Sequence, residues 1–303
     1  MPNSVSTPQK LHVTGGRGRL AALIEDHFRA PQHTVEPYSR IAGDGFHALS
    51  QLETLQGVSP SDSILHLAWS TLPATSEQTP GIEQQQDIPW LRKMLAALTN
   101  LPATQRPHFI FFSSGGSVYG NAPDRPNSED DTCQPIGNYG RAKQQAESLI
   151  ERAIADHDLP CTVLRISNPY GYPVPTGRAQ GIIPHAIRAA TEGHTLKLWG
   201  DGHARKDFLY YTDFLSALEE IVAQRLIGTF NLASGESHSI REIITLVENQ
   251  TRKKISIEQL PAPDWDVQDS RLHNDKLSQA IGWKPQVTLE EGIRRSAAGF
   301  LSP

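Results

Sequence analysis

Cysteine is almost missing from this chain. Cys133 and Cys161 are the two present, far apart and without metal-ligand spacing. That excludes a disulfide framework and a cysteine metal site, and it points to free thiols in a reducing compartment. Aromatic residues are also few, at 7%. No apolar run approaches the length of a membrane span. Met1 to Lys10 are polar, without the apolar core of a signal peptide. Neither sign of charge dominates: the formal net charge is -5 and the pI is about 6.2. A nucleic-acid or anionic-membrane partner is therefore not favoured. There is no internal repeat, low-complexity tract or evident linker. These absences lead to the expectation of a soluble, cytoplasmic globular protein with no bound metal.

Glycine (23) and proline (22) are plentiful. They punctuate short apolar runs, as many strand–helix connections require. Leu11-His12-Val13 reads as a first strand. It runs into Thr14-Gly15-Gly16-Arg17-Gly18-Arg19-Leu20-Ala21 and then a helical pattern through Phe28. Gly15, Gly18 and Ala21 have the spacing of a G-x-x-G-x-x-G/A loop. Such a turn lets the backbone approach a pyrophosphate, and the helix N-terminus offers N–H groups. The small third residue lets the helix pack closely. Gly15, Gly18, Arg19 and Leu20 are therefore candidates for holding a dinucleotide.

The second strand is expected over Thr34 to Tyr38, ending in Ser39-Arg40. An NAD site carries an acid about 20 positions after the loop, on the adenosine ribose. Here a hydroxyl and a guanidinium stand at the strand end. They suit a 2′-phosphate, so the cofactor is read as NAD(P), with NADP favoured by Ser39 and Arg40. Glu36 is the competing acid.

Ala42 to Ser61 reads as helical or irregular. Ser63 to Trp69 reads as a buried central strand, with His66 as a packed core histidine. Ser70 to Gly81 reads as a loop, and Gln84 to Leu98 as a helix with Pro89 in its first turn. Pro107 to Phe112 is a strand that meets the small-residue cluster Ser113 to Gly120. A helical pattern then opens at Tyr139-Gly140-Arg141-Ala142-Lys143 and continues with Ala146, Leu149, Ile150 and Ala153 on one face. Further strands are expected at Cys161–Ile166, Leu196–Trp199, Gly228–Leu232 and Ile255–Leu260. Further helices are expected over 181–191, through Ala223, and over 239–250, 275–282 and 289–300. Ser239 and Glu242 have the spacing of a capping box. Trp199, Trp265 and Trp283 are read as packing residues.

Taken together, these pieces resemble the extended short-chain dehydrogenases/reductases, in particular the nucleotide-sugar epimerase/dehydratase group. The residues that carry the resemblance are Gly15-x-x-Gly18-x-x-Ala21, His66-Leu67-Ala68, Ser113 to Gly120, Tyr139-x-x-x-Lys143 and Arg165-x-x-Asn168-Pro169-Tyr170-Gly171. Gly200-Asp201-Gly202 with Asp207-Phe208, and Gly282-Trp283-x-Pro285, complete the set. They occur in family order over nearly the whole chain. The resemblance implies an α/β fold, a Rossmann-type doubly wound parallel sheet with a smaller α/β C-terminal substrate lobe. The implied division is 1–168 for the NAD(P)-binding domain, with about 203–235 returning to it, and 169–303 mainly for the substrate lobe. It also implies a nucleotide-diphosphate sugar as substrate, Leu67 and Ala68 beside the cofactor, and a homodimer. Five departures stand out. Ser39 replaces the usual acid, Asp87 stands where many members have Asn, Gly115 occupies one common place of the catalytic hydroxyl, Lys206, with Arg205 beside it, stands where an Arg usually precedes Asp-Phe, and Pro263-Asp264 stands where an Arg often contacts the diphosphate.

The chemistry expected of these residues is proton transfer coupled to hydride transfer. Tyr139 and Lys143 are i and i+4 and share a helix face. A free phenol has a pKa of about 10, and a nearby ammonium favours the phenolate. Tyr139 would exchange the proton of a sugar hydroxyl, and Ser117, or Ser114, would hydrogen-bond the same oxygen. Lys143 would also hold the nicotinamide ribose. Asn168 is a candidate substrate contact at its strand end, and Tyr170 a candidate lining of the sugar pocket. By charge, Arg205 and Lys206 are candidates for the diphosphate.

The leading function is a nucleotide-sugar epimerase at C4, of the UDP-hexose 4-epimerase kind, working by transient hydride transfer to NAD(P). Gly115-Gly116-Ser117 offers no Asp-Glu pair for eliminating water, which disfavours a 4,6-dehydratase. An NADPH-dependent nucleotide-4-keto-sugar reductase is the alternative, supported by Ser39-Arg40. A non-catalytic NADP-binding sensor or scaffold is the third reading, and the intact Tyr139/Lys143 pair argues against it.

Overall fold

Leu11, His12, Val13 and Thr14 are all buried, the mark of a strand covered on both faces. The computed structural model describes residues 9–29, 33–122, 124–173 and 181–301; the polar start up to residue 8 lies outside them. In chain order the elements are β1 (Gln9–Thr14), α1 (Arg19–His27), β2 (His33–Ser39), β3 (His47–Ala48), α2 (Leu49–Leu52), β4 (Ser63–His66), α3 (Pro73–Gln78), α4 (Ile82–Asn100), β5 (His108–Ser114), α5 (Gly115–Val118), α6 (Asn138–His157) and β6 (Cys161–Ile166). They continue with β7 (Asn168–Tyr170), α7 (Ile182–Glu192), β8 (Leu196–Trp199), β9 (Arg205–Tyr210), α8 (Tyr211–Gln224), β10 (Gly228–Leu232), β11 (Ser237–Ser239), α9 (Ile240–Thr251), β12 (Ile257–Leu260), α10 (Asp275–Ile281) and α11 (Leu289–Leu301).

Seven strands form one sheet in the order β10-β6-β5-β4-β1-β2-β3. β1 pairs in parallel with β2 and β4, β2 with β3, and β4 with β5. The chain thus winds outward from β1 in both directions, the doubly wound arrangement expected from the sequence. In such sheets ligands lie beyond the strand C-termini where the order reverses, here between β1 and β4. Among the described residues, no helix is long and apolar enough to cross a membrane.

The chain divides into two compact units. One comprises residues 1–113, 142–164 and 221–229. Its core joins Ile64, Phe109 and Phe111 from the sheet to Ile88, Leu91, Met94, Leu95 and Leu98 of α4 and Ala146, Ile150 and Ala153 of α6. Each of the large side chains among them, fully buried, contributes roughly 1.5–3 kcal/mol.

The other unit comprises 114–141, 165–220 and 230–303. It holds a small sheet, β11-β9-β7, and the parallel pair β12-β8. Ile183, Ile187, Ile243, Val247 and Ile293 from α7, α9 and α11 build its core with Tyr170, Phe208 and Tyr210. α9 starts with the expected capping box: Glu242 N donates to Ser239 Oγ at 3.1 Å, and Ser239 N to Glu242 Oε2 at 2.6 Å. Trp283 is buried, and its Nε1 donates to Ser216 Oγ at 3.0 Å.

In several places the structure departs from the local sequence pattern. The strand expected over 63–69 stops at His66, because Ala68 N–H donates to Thr14 Oγ1 and Ser70 N–H to Asp87. Side chains, not a neighbouring strand, satisfy those groups. The loop expected over 70–81 contains α3, with Pro73 at its first position, where a proline starts a helix readily. Pro89 lies inside α4 rather than in its first turn, since that helix begins at Ile82 after a left-handed Gly81. The Gln85 carbonyl thereby loses its i+4 donor. The stretch 42–61 includes the short strand β3, and Arg205–Tyr210 is a strand before its helix. Trp199 is 58% exposed and is not a packing residue.

Candidate functional site

In the first unit the glycine turn leaves β1 directly. Gly15 has φ +73, and a Cβ on it would lie 2.9 Å from Ala68 N. Only glycine lets this turn press against the backbone of Leu67 and Ala68, the segment that follows β4. Thr14 Oγ1 ties the same two strand ends together, 2.8 Å from His66 Nδ1 and accepting from Ala68 N at 3.1 Å. α1 opens at Gly18 with no side-chain cap and no acid in its first turn. Its N–H groups and positive dipole end thus remain available to an anion. Arg19 Nη1 is buried with no hydrogen-bond partner among the described residues. An uncapped helix start and an orphaned guanidinium nitrogen fit a pyrophosphate.

Ser39 and Arg40 stand at the end of β2 as expected. The Ser39 hydroxyl accepts from Ile41 N at 3.4 Å, and Arg40 Nη1 donates to Gln86 Oε1. The competing acid, Glu36, is tied earlier on the strand to His47 at 2.8 Å and to Lys10 at 3.9 Å. His66 is the packed histidine anticipated. It stacks on Trp90 with ring centres 4.5 Å apart, and burial lowers its pKa to about 3.

Lys143 is deeply buried on α6. Its Nζ donates to Phe112 O at 2.8 Å and lies 3.7 Å from the centre of the Trp69 ring. Burial lowers its pKa to about 7, against the opposing pull of Asp87, Glu147 and Glu83. Neither Trp69 nor Glu83 and Glu147 was singled out by the sequence motifs. The departure at Asp87 was the one available signal.

In the second unit Ser114 Oγ donates to Ser117 Oγ at 3.3 Å, across the single turn of α5. Gly115 is buried, and a Cβ there would lie 2.6 Å from Leu272 Cδ1 and 3.0 Å from Arg165 O. A side chain at 115 would crowd both neighbours. Tyr139 is half-buried at the start of α6. Its neighbour Gly140 packs on Ser117: a Cβ there would lie 2.5 Å from Ser117 O. This glycine, which the motif reading passed over, brings the phenol's helix start onto the serine's backbone.

Asn168 Nδ2 donates to Asp207 O at 2.8 Å. Asp207 accepts from Ser234 N and Gly235 N, and burial raises its pKa to about 6. A Cβ on Gly116 would stand 3.9 Å from both Asn168 Nδ2 and Ser270 Oγ. Tyr170, in contrast, is packed in the core against Phe208 and Tyr210. Arg205 donates to Ser237 and faces Glu242 at 3.8 Å, and Lys206 Nζ bonds Asp266 Oδ1 at 2.8 Å. Both cations thus carry internal partners.

The family described as "NAD dependent epimerase/dehydratase family" matches residues 12–233. A UDP-glucose 4-epimerase from Mycolicibacterium smegmatis is 27% identical over 308 residues, spanning 95% of this chain and 97% of that protein. A dTDP-4-dehydro-6-deoxyglucose reductase from Escherichia coli is 27% identical, spanning 76% of this chain and 72% of its own. Among solved structures, UDP-glucose 4-epimerase from Thermus thermophilus in complex with NAD superposes with a TM-score of 0.85. It is 22% identical, covering 96% of this chain and 99% of that one. This last likeness is one of fold.

Proposed function

Since the chain belongs to the NAD-dependent epimerase/dehydratase family of extended short-chain dehydrogenase/reductase enzymes, we propose that it is a nucleotide-sugar epimerase acting at C4. The dinucleotide, when bound, supplies a hydride acceptor that the reaction borrows and returns. Gly15, Gly18, Arg19 and Leu20 would hold its pyrophosphate, with Leu67 and Ala68 against it. Ser39 and Arg40 would meet the adenosine ribose, and Lys143 the nicotinamide ribose. Tyr139 takes the proton from the sugar 4-hydroxyl and later returns it. Tyr139 therefore acts as the phenolate, and the Lys143 ammonium, one helical turn on, stabilises that charge before the proton is taken up and again after it is returned. Ser117, with Ser114 hydrogen-bonded behind it, fixes the same sugar oxygen. Asn168 contacts the sugar-nucleotide from its strand end, and Arg205 and Lys206 attract its diphosphate. Two copies pairing through α4 and α6, in the cytoplasm, complete the reading.

The observation that carries this choice over dehydration is Gly115. A side chain there would crowd Leu272 and Arg165 O, and Gly116 beside it brings no acid to expel water. A second reading, an NADPH-dependent 4-keto-sugar reductase, is favoured by Ser39 and Arg40 at the end of β2, because net reduction needs an exchangeable cofactor.

The test is to purify the protein, identify any dinucleotide that travels with it, and supply nucleotide-sugars with and without NADPH. Interconversion of UDP-glucose and UDP-galactose without net NADPH use is expected. Stoichiometric NADPH loss on a nucleotide-4-keto sugar would replace the epimerase by the reductase. Tyr139→Phe should abolish turnover with the melting temperature unchanged; retained turnover refutes the assigned acid/base.

A further inference from the structure

Lys143 is surrounded by more acid than one ammonium balances. It is buried, and so are Glu83, Asp87 and Glu147. Glu83 and Asp87 are i and i+4 on α4 and lie on one face. Asp87 is held by Ser70, whose N–H donates to Oδ2 at 3.0 Å and whose hydroxyl donates to Oδ1 at 2.8 Å. Glu83 accepts the Thr71 hydroxyl on Oε1, and its Oε2 has no hydrogen-bond partner among the described residues. Two carboxylates one turn apart thus grip two consecutive residues. The residue just before them, Trp69, places its ring over the Lys143 ammonium. Glu147 accepts the Ser113 hydroxyl.

An ammonium taken out of water tends to lose its proton unless carboxylates nearby offset the lost hydration. The groups that face this one are Asp87 and Glu83 from α4, Glu147 from α6 and His66 from β4. His66 is neutral above its lowered pKa, and Arg40 acts on Asp87 from the end of β2. An asparagine at 87 would keep an oxygen for Ser70 but would bring no charge.

We propose that Asp87, backed by Glu83 one turn earlier, is a positioning residue that keeps Lys143 an ammonium and pins the Trp69 ring over it. This rests on reading Lys143 as half of the working pair with Tyr139. Asp87 touches no reacting atom and acts through Lys143. A neutral Lys143 would leave the charge on the Tyr139 oxygen unsupported, so Asp87 sets the upper pH limit of turnover.

The experiment is an NMR titration of the full chain with isotope-labelled lysine side chains, the Lys143 signal being assigned by its loss in Lys143→Met. In Asp87→Asn the Lys143 midpoint should fall by about one pH unit or more, and Asp87→Glu should restore most of it. The alkaline limb of kcat should move down in step. An unchanged Lys143 midpoint in an Asp87→Asn protein that melts like the parent overturns the proposal. If that variant melts low, Glu83→Gln, which leaves both Ser70 bonds in place, decides instead. A fall in the midpoint supports the proposal, and no change overturns it. Failure of the epimerase reading would show separately, as turnover retained by Tyr139→Phe, and would leave the titration result standing.

Discussion

Lys143 Nζ lies 3.7 Å from the centre of the Trp69 ring and donates to Phe112 O at 2.8 Å. The ammonium is held from one side by a π-face and from another by the carbonyl of the strand that ends at the candidate serines. Its lowered pKa, about 7 against the ordinary 10.5, is worth about 5 kcal/mol against the charged form. A cation–π contact returns about 2 kcal/mol when desolvated. Burial therefore outweighs the ring's attraction.

That ordering gives the direction for Trp69→Ala. Removing the ring loses the smaller, charge-favouring contact and admits water, which relieves the larger penalty. The Lys143 midpoint, read by NMR titration, should rise toward 10.5. A fall would mean that the ring, not burial, governs the lysine.

Gly140→Ala tests the approach of α6 to Ser117. The added Cβ would lie 2.5 Å from Ser117 O and 2.8 Å from Pro135 Cβ, and backbone has little room to yield. Overpacking of this kind costs about 1–3 kcal/mol. Thermal melting should show that loss, and kcat should drop by more than tenfold as Tyr139 moves from its serine. Wild-type kcat at reduced stability would separate the phenol's position from this packing.

Acid should destabilise the chain through two buried histidines. Burial lowers the pKa of His66 to about 3 and of His108 to about 4, from 6.5. At these two sites the folded state therefore binds fewer protons than the unfolded state below pH 6.5. Stability falls as the pH drops through that value, until about 4 for His108 and about 3 for His66. Asp207, raised from 3.8 to about 6, acts oppositely: its contribution grows as the pH falls from 6 to 3.8. The histidine shifts are the larger. Denaturant midpoints measured between pH 7 and 4 should decline, and His108→Gln should flatten the slope. An equal slope in the variant would remove His108 from the account.

Arg40 decides cofactor preference in the proposed reading. It is exposed at the end of β2 and donates to Gln86 Oε1. Arg40→Ala should weaken NADPH binding by about tenfold, the worth of one charge-assisted contact, and leave NADH binding unchanged, as read by nucleotide fluorescence. Equal losses for both would assign Arg40 to neither.

Much of the fold was legible because local patterns carry it. Alternation and apolar runs marked β1, β2, β5, β6 and β10, and the Ser239/Glu242 spacing marked the start of α9. Errors fell where a side chain overrode the local rule. Thr14 and Asp87 capture the N–H groups of Ala68 and Ser70, and so end β4 early. Tyr170 read as a pocket residue from its motif, but it is core, packed so closely that a Cβ on Gly292 would stand 2.0 Å from its hydroxyl. Trp199 read as a packing residue, but it is exposed.

The sequence by itself determined the order of most strands and helices, the glycine turn, and the one-turn spacing of Tyr139 and Lys143. All of these depend on residues near each other in the chain. Tertiary structure alone decided that Gly115 is crowded by Leu272 and Arg165 O, that Gly140 rests on Ser117, and that Lys143 is buried under Trp69 among Glu83, Asp87 and Glu147. The physical reason is the same in each case. Steric room and desolvation are set by atoms brought together from distant parts of the chain, and no local periodicity encodes them.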